Sequence, residues 1–184
     1  MTRLLALGAD IGARMTHADA LLPILARFVF AATLLQYFWV SGVTKLGDGV
    51  FGFLQVTAGG FGQIFPKAAE AVLWDVSQMS AFQTLVVLAG TWAEFILPLM
   101  IVLGLLTRLA AFGMIGFVIV QSLTDIFAHG AATGAWFDKA SDSLILDQRA
   151  FWVFLLVLLV VKGAGALSLD RLLQSRLLGQ TAPA

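Results

Sequence analysis

The stretch TWAEFILPLMIVLGLLTR, residues 91–108, is apolar except for one acid near its start, Glu94, and an arginine at its end. A charge at the centre of a membrane helix costs about 2.5–3.5 kcal/mol, so such a group is expected to face a partner, a ligand or a proton path. A cation stands in a second apolar run, Lys162 in RAFWVFLLVLLVVKGAGALSLD. At about 1.5 Å per helical residue both fall near the middle of their runs, which makes Glu94–Lys162 the expected pair. A second polar set has helical spacing. Ser41 and Lys45 stand four residues apart in SGVTK, and Gln121, Asp125 and His129 follow at intervals of four on another apolar run. Lys45 and Asp125 come at comparable depth and are expected to pair. Together these groups predict a polar pocket at one end of a helix bundle. Its chemistry would be hydrogen bonding and proton exchange, and the competing reading of Glu94 is a purely structural ion pair.

Other chemistries are poorly served. The chain has no cysteine, which removes thiol redox relays, disulfides and thiolate-held metal centres. Its two histidines, His17 and His129, flank the first apolar run on opposite sides, so a haem held by both is not expected, nor is a metal site.

The elements that must position these groups are membrane helices. Of 184 residues, 60% are hydrophobic and 12% charged, with a mean hydropathy of +0.94. Soluble domains average about 45–50% apolar and about 25% charged. Net charge is zero, so no nucleic-acid partner is expected. The run LLALGA after Arg3 is too short for a signal peptide, and the first span is expected to direct insertion. Spans of roughly 20 apolar residues are expected at 22–45, 82–106, 109–128 and 150–169. The expectation is therefore an all-α, integral membrane four-helix bundle over 22–171. It is flanked by an N-terminal segment, 1–21, and a C-terminal tail, 172–184.

Arg3, Arg14, Arg27, Arg108, Arg171 and Arg176 gather on one side of these spans. Lys45, Lys67, Lys139 and Arg149 lie on the other, diluted by six acids. The positive-inside rule then predicts a multi-pass protein of the inner membrane with both termini cytoplasmic. Arg27 and Arg108 are inner-edge site candidates, against the plainer reading of snorkelling topology signals. The first outer loop is expected to carry a short interfacial helix with Ala68, Ala71, Val72 and Trp74 on its apolar side, lying over the bundle mouth. Trp39, Trp74, Trp136 and Trp152 are expected in the outer aromatic belt. Pro98, one turn after Glu94, is expected to kink its helix, and Gly104, Gly113, Gly116, Gly163 and Gly165 to serve close packing. Ser168 or Asp170 is expected to cap a following helix, RLLQSRLL.

Arg27, SGVTK (41–45), AEFILPLMIVLGLLTRLAA (93–111) and GAGALSLD (163–170), in that order, resemble the DoxX family of small bacterial membrane proteins. Lys162 departs from the pattern expected before the glycine pair. The family is similar to a small subunit of thiosulfate:quinone oxidoreductase, so the resemblance implies a quinone-linked subunit or partner of a redox system. It places Glu94, Lys45 and Arg108 at a quinone- or substrate-facing site. A quinone would be held without covalent attachment, and electrons would pass to a redox partner protein, or the chain would act as a homo-oligomer. The alternative is a non-catalytic membrane anchor, assembly factor or small-molecule permease.

Overall fold

The chain forms four membrane-length helices, and no strand occurs among the described residues. The computed structural model describes residues 19–178; Arg3, Arg14 and His17 lie outside them. The first crossing, α1 (Leu22–Val43), places Pro23 in its first turn, where no backbone N–H is needed, and contains a π-helical turn at Ala31–Leu35. Two short helices follow, α2 (Ala58–Ile64) and α3 (Pro66–Ala71). The Thr57 hydroxyl caps α2 by accepting from the Gly60 amide at 3.0 Å. Helix α4 (Ala81–Leu103) starts in a reciprocal Ser80–Gln83 capping box and continues through Pro98 as one helix. Helix α5 (Thr107–Phe127) returns antiparallel after a tight turn.

The fourth apolar stretch, Leu144–Lys162, is only partly regular. Ile145 and Leu146 leave the helical region, and the helix proper, α6, is Arg149–Lys162. Gly163, with φ +81°, stops it. The expected span of 150–169 is thus displaced, and Lys162 belongs to the helix end instead of its middle. A last amphipathic helix, α7 (Leu169–Leu178), is capped by Ser168, whose hydroxyl accepts from the Arg171 amide at 3.2 Å.

Helix α1 packs on α4 and α6, α4 on α5, and α5 on α6, so the four crossings close a ring. Its centre is filled by wholly buried side chains, among them Phe30, Phe38, Met114, Leu156 and Leu159. Phe38 meets the rings of Tyr37, Phe117 and Trp152 edge-on, with centroids 5.0, 5.9 and 6.1 Å apart. Trp152 therefore sits inside the bundle and not in an aromatic belt. The outer surface is also apolar: Phe112, Phe151 and Phe154 are each about two-thirds or more exposed, as lipid contact requires.

The end where 19–22 meet 162–170 is held by polar groups. The turn between α4 and α5 puts Gly104 and Leu106 in the left-handed region, at φ +68° and +45°. Asp170 supports that turn, accepting from the Leu106 and Thr107 amides at 2.6 and 3.0 Å. It caps α5 across space, leaving Ser168 to cap α7. Arg27 donates to the carbonyls of Ile101, Val102 and Ala164 at 3.0, 2.6 and 3.0 Å, and also to that of Leu167. The inner-edge candidate Arg27 thus ties the open C-terminal end of α4 to the chain after α6.

At the other end, α2 lies across the bundle mouth. The Gln63 amide donates to the Thr44 hydroxyl at 3.1 Å, and the Gln63 carbonyl lies 2.8 Å from His129 Nε2. Helix α3 buries Ala69 and exposes Ala71, and Trp74 lies beyond its end, half exposed, which differs from the expected apolar side. The reason is the left-handed turn at Leu73 and Trp74, which folds the Trp74 ring back onto Gly62.

Candidate functional site

A cavity of about 740 Å³ lies under α2, walled by the loop-end halves of α1, α4 and α5 and by the start of α6. Ser41, Lys45, Glu94, Gln121, Asp125 and His129, all selected from sequence, line it. Lys162 and Arg108 do not; they lie in a groove at the opposite end.

The centre of the polar side is a buried ion pair. Lys45 Nζ is 2.9 and 3.0 Å from Glu94 Oε2 and Oε1, and the two residues are 5% and 3% exposed. Nζ also reaches the Ser41 hydroxyl at 2.8 Å and the Ser41 carbonyl at 3.0 Å. The Ser41 hydroxyl in turn donates to Glu94 Oε1 at 2.9 Å. Glu94 therefore pairs with Lys45, not with Lys162. Lys162 binds Asp19 at 2.6 Å, on a side chain 41% exposed. Lys45 lies just past the end of α1, and its stem folds back one turn toward the membrane interior, so it need not share the depth of its partner's backbone.

Asp125 also has a partner other than the one expected. Its Oδ2 accepts from Arg149 at 2.6 Å, and the same guanidinium donates to the Ser122 hydroxyl at 2.9 Å. Arg149 is 3% exposed, and its guanidinium carbon lies 5.9 Å from the Trp152 ring centroid. The irregular turn at Ile145–Leu146 delivers it inward. Gln121 donates to the Tyr37 hydroxyl at 3.0 Å, which leaves the Tyr37 proton free to point elsewhere. Gln121 Oε1 and Arg149 Nε are buried without a partner among the described residues.

Three contributors, Tyr37, Ser122 and Arg149, were not selected from sequence. Tyr37 had a usable signal, because Tyr37, Ser41 and Lys45 form one stripe at intervals of four along α1. Arg149 read as an ordinary flanking charge.

Apolar groups complete the cavity, including Leu97, Phe117 and Val120. Among its glycines, Gly116 was expected to serve helix packing. A Cβ built there meets nothing within 4 Å, so Gly116 widens the cavity and does not close a helix contact.

The arrangement is suited to holding a molecule with a polar head and an apolar body. It is poorly arranged for nucleophilic catalysis, because the Ser41 proton is directed at Glu94 while Lys45 is engaged as a cation. No cluster of three metal-ligating side chains occurs among the described residues.

Fold and site thus define a multi-pass membrane protein: an all-α four-helix bundle with a polar-headed cavity at its loop end. A family model described as DoxX matches residues 22–130, more than half of the chain. The chain belongs to the DoxX family. The match takes in α1 to α5 and stops before α6, so Arg149 lies beyond it. No curated protein and no solved structure shows significant similarity to the sequence.

Proposed function

We propose that the cavity binds a quinone, or a molecule of the same build, and that the chain serves a redox system as its quinone-linked membrane subunit or partner. The observation that carries this reading is the joining of two features in one cavity. A polar side bears Tyr37, Gln121, Lys45 and Glu94, and the apolar wall is opened by Gly116. A quinone headgroup needs donors for two carbonyls and a nearby proton source, and its tail needs an apolar slot. Tyr37 is the donor with a proton to spare. Glu94, bridged by Ser41 and Lys45, is the group able to exchange one. Electrons would come from a partner's cofactor or a small reductant. Membership of the DoxX family supports a bacterial inner-membrane setting, and the arginine distribution supports cytoplasmic termini.

The test is to purify the protein in native lipid and measure quinone per protein against bulk lipid, for the wild type and for Gly116→Phe. The variant places a ring in open cavity space without touching an ion pair. Enrichment in the wild type, lost in a variant of equal thermal stability, is the expected result. No enrichment in the wild type would refute the reading and leave a non-catalytic anchor, assembly or permease role.

A further inference from the structure

The end opposite the cavity carries a second site. A groove of about 520 Å³ runs between the first turn of α5 and the chain joining α6 to α7. Arg108, Arg171, Lys162 and Thr107 line it. Lys162 is held by Asp19, and Asp170, the acid in the groove wall, has its carboxylate committed to the Leu106 and Thr107 amides. The two guanidiniums make no hydrogen bond to another described residue. Gly163 lets one of them approach the backbone closely: a Cβ there would stand only 3.3 Å from Arg108 Nε.

A second observation points to a ligand. Thr107 is wholly buried at this groove, and its hydroxyl has no partner among the described residues. A buried hydroxyl left unpaired is costly, and an oxygen-rich anion beside it would accept its proton. Arginine recognises phosphate through paired, parallel N–H groups, and two arginines sharing a groove with one unpaired hydroxyl suit a tetrahedral anion.

The surroundings are those of a bilayer edge. Leu106 and Leu109 in the groove wall are 55 and 64% exposed, and Leu167 and Leu172, next in the chain to its Ser168 and Arg171, are 73 and 55% exposed, an apolar rim that a free anion would not need. Helix α7 continues the rim, presenting Leu173 and Leu177 with Arg171 and Arg176, the make-up of a helix lying in the headgroup layer.

We propose that this groove binds a phosphate group, that of an anionic phospholipid headgroup or a free phosphate, through Arg108, Arg171 and the Thr107 hydroxyl. The leucine rim favours the lipid. In that role the site fixes the α4–α5 turn and α7 to the leaflet at the end opposite the cavity.

The full chain, delipidated in detergent, is titrated with phosphatidylglycerol and separately with inorganic phosphate. Bound adducts are read by native mass spectrometry and stability by thermal unfolding. Arg108→Gln/Arg171→Gln is compared with Lys67→Gln/Lys139→Gln, which removes the same charge from the other end. Thr107→Val keeps shape and charge while deleting the hydroxyl. Binding should weaken by at least about tenfold in the arginine variant and measurably in Thr107→Val, with the lysine control unchanged. Saturation by phosphatidylglycerol alone identifies the lipid as the source, and an equal response to inorganic phosphate identifies the soluble anion. Binding of neither ligand overturns the proposal. So does equal binding by wild type and arginine variant, or an equal loss in the lysine control.

Discussion

Glu94→Gln should be among the most damaging single polar changes in the protein, and the structure says through which partner. Lys45 has its ammonium in a site only 5% exposed, with both Glu94 oxygens and two Ser41 oxygens around it. Replacing the carboxylate by an amide keeps one acceptor and removes the countercharge. Breaking a buried pair from one side costs about 3–5 kcal/mol, because the remaining ion is left uncompensated. The pair lines a cavity and the amide keeps one bond, so the low end, about 3 kcal/mol, is expected. Lys45→Met should cost a similar amount, leaving Glu94 with the Ser41 hydroxyl alone. The double variant removes both charges and should lose only about 1–2 kcal/mol, since no uncompensated ion is left buried and the amide at position 94 keeps the Ser41 hydroxyl as a partner. The coupling between positions 45 and 94 is then favourable by several kcal/mol.

Equilibrium unfolding of the purified protein in mixed micelles, read by tryptophan fluorescence, gives the four corners of that cycle. Position 162 supplies the control. Lys162 is bound to Asp19 at the opposite end of the bundle and is 41% exposed, so Lys162→Gln should cost less than about 1 kcal/mol. Combined with Glu94→Gln, it should add within about 0.5 kcal/mol, as separated sites do. A coupling below about 1 kcal/mol between 45 and 94, or a larger one between 94 and 162, would refute the pairing from which the site is built.

Two further outcomes follow from the same geometry. Arg149→Gln frees Asp125, whose side chain is 29% exposed and can be hydrated, so the loss should be about 1–3 kcal/mol and smaller than for Glu94→Gln in the same titration. A larger loss would mean that burial does not rank these pairs. Gly104→Ala must hold an L residue at φ +68° with its Cβ 2.6 Å from Ser168 Cβ and 2.8 Å from Arg27 Cζ. It should lower stability by more than about 1 kcal/mol, whereas an alanine that leaves thermal unfolding unchanged would show that the α4–α5 turn is not held by the Arg27 clamp.

The four crossings were legible because each is an apolar run of membrane length, and hydropathy alone reports that. Part of the cavity's polar lining was legible for a related reason. Ser41, Lys45, Glu94, Gln121 and Asp125 are polar groups on or beside apolar helices that lipid would reject, so they had to turn inward where the helices met. Lys162, grouped with them on the same reasoning, lies at the opposite end, and His129 stands exposed past the end of α5. Who pairs with whom was not legible, and the failures share one cause. Matching Glu94 to Lys162, and Lys45 to Asp125, assumes that charges meet when their backbones lie at equal depth. Three local features defeat that assumption. Gly163 ends α6 earlier than the apolar run does, which removes Lys162 from the membrane centre. Lys45 stands beyond its helix, where a flexible stem can fold inward to an acid well below it. The turn at Ile145–Leu146 is as apolar as the helix it precedes, so nothing in its composition announces that it will carry Arg149 into the bundle to claim Asp125. Burial of polar groups in a membrane bundle is a property of residue type and can be read along the chain. Their pairing depends on side-chain reach and on the turns at helix ends, which hydropathy does not record.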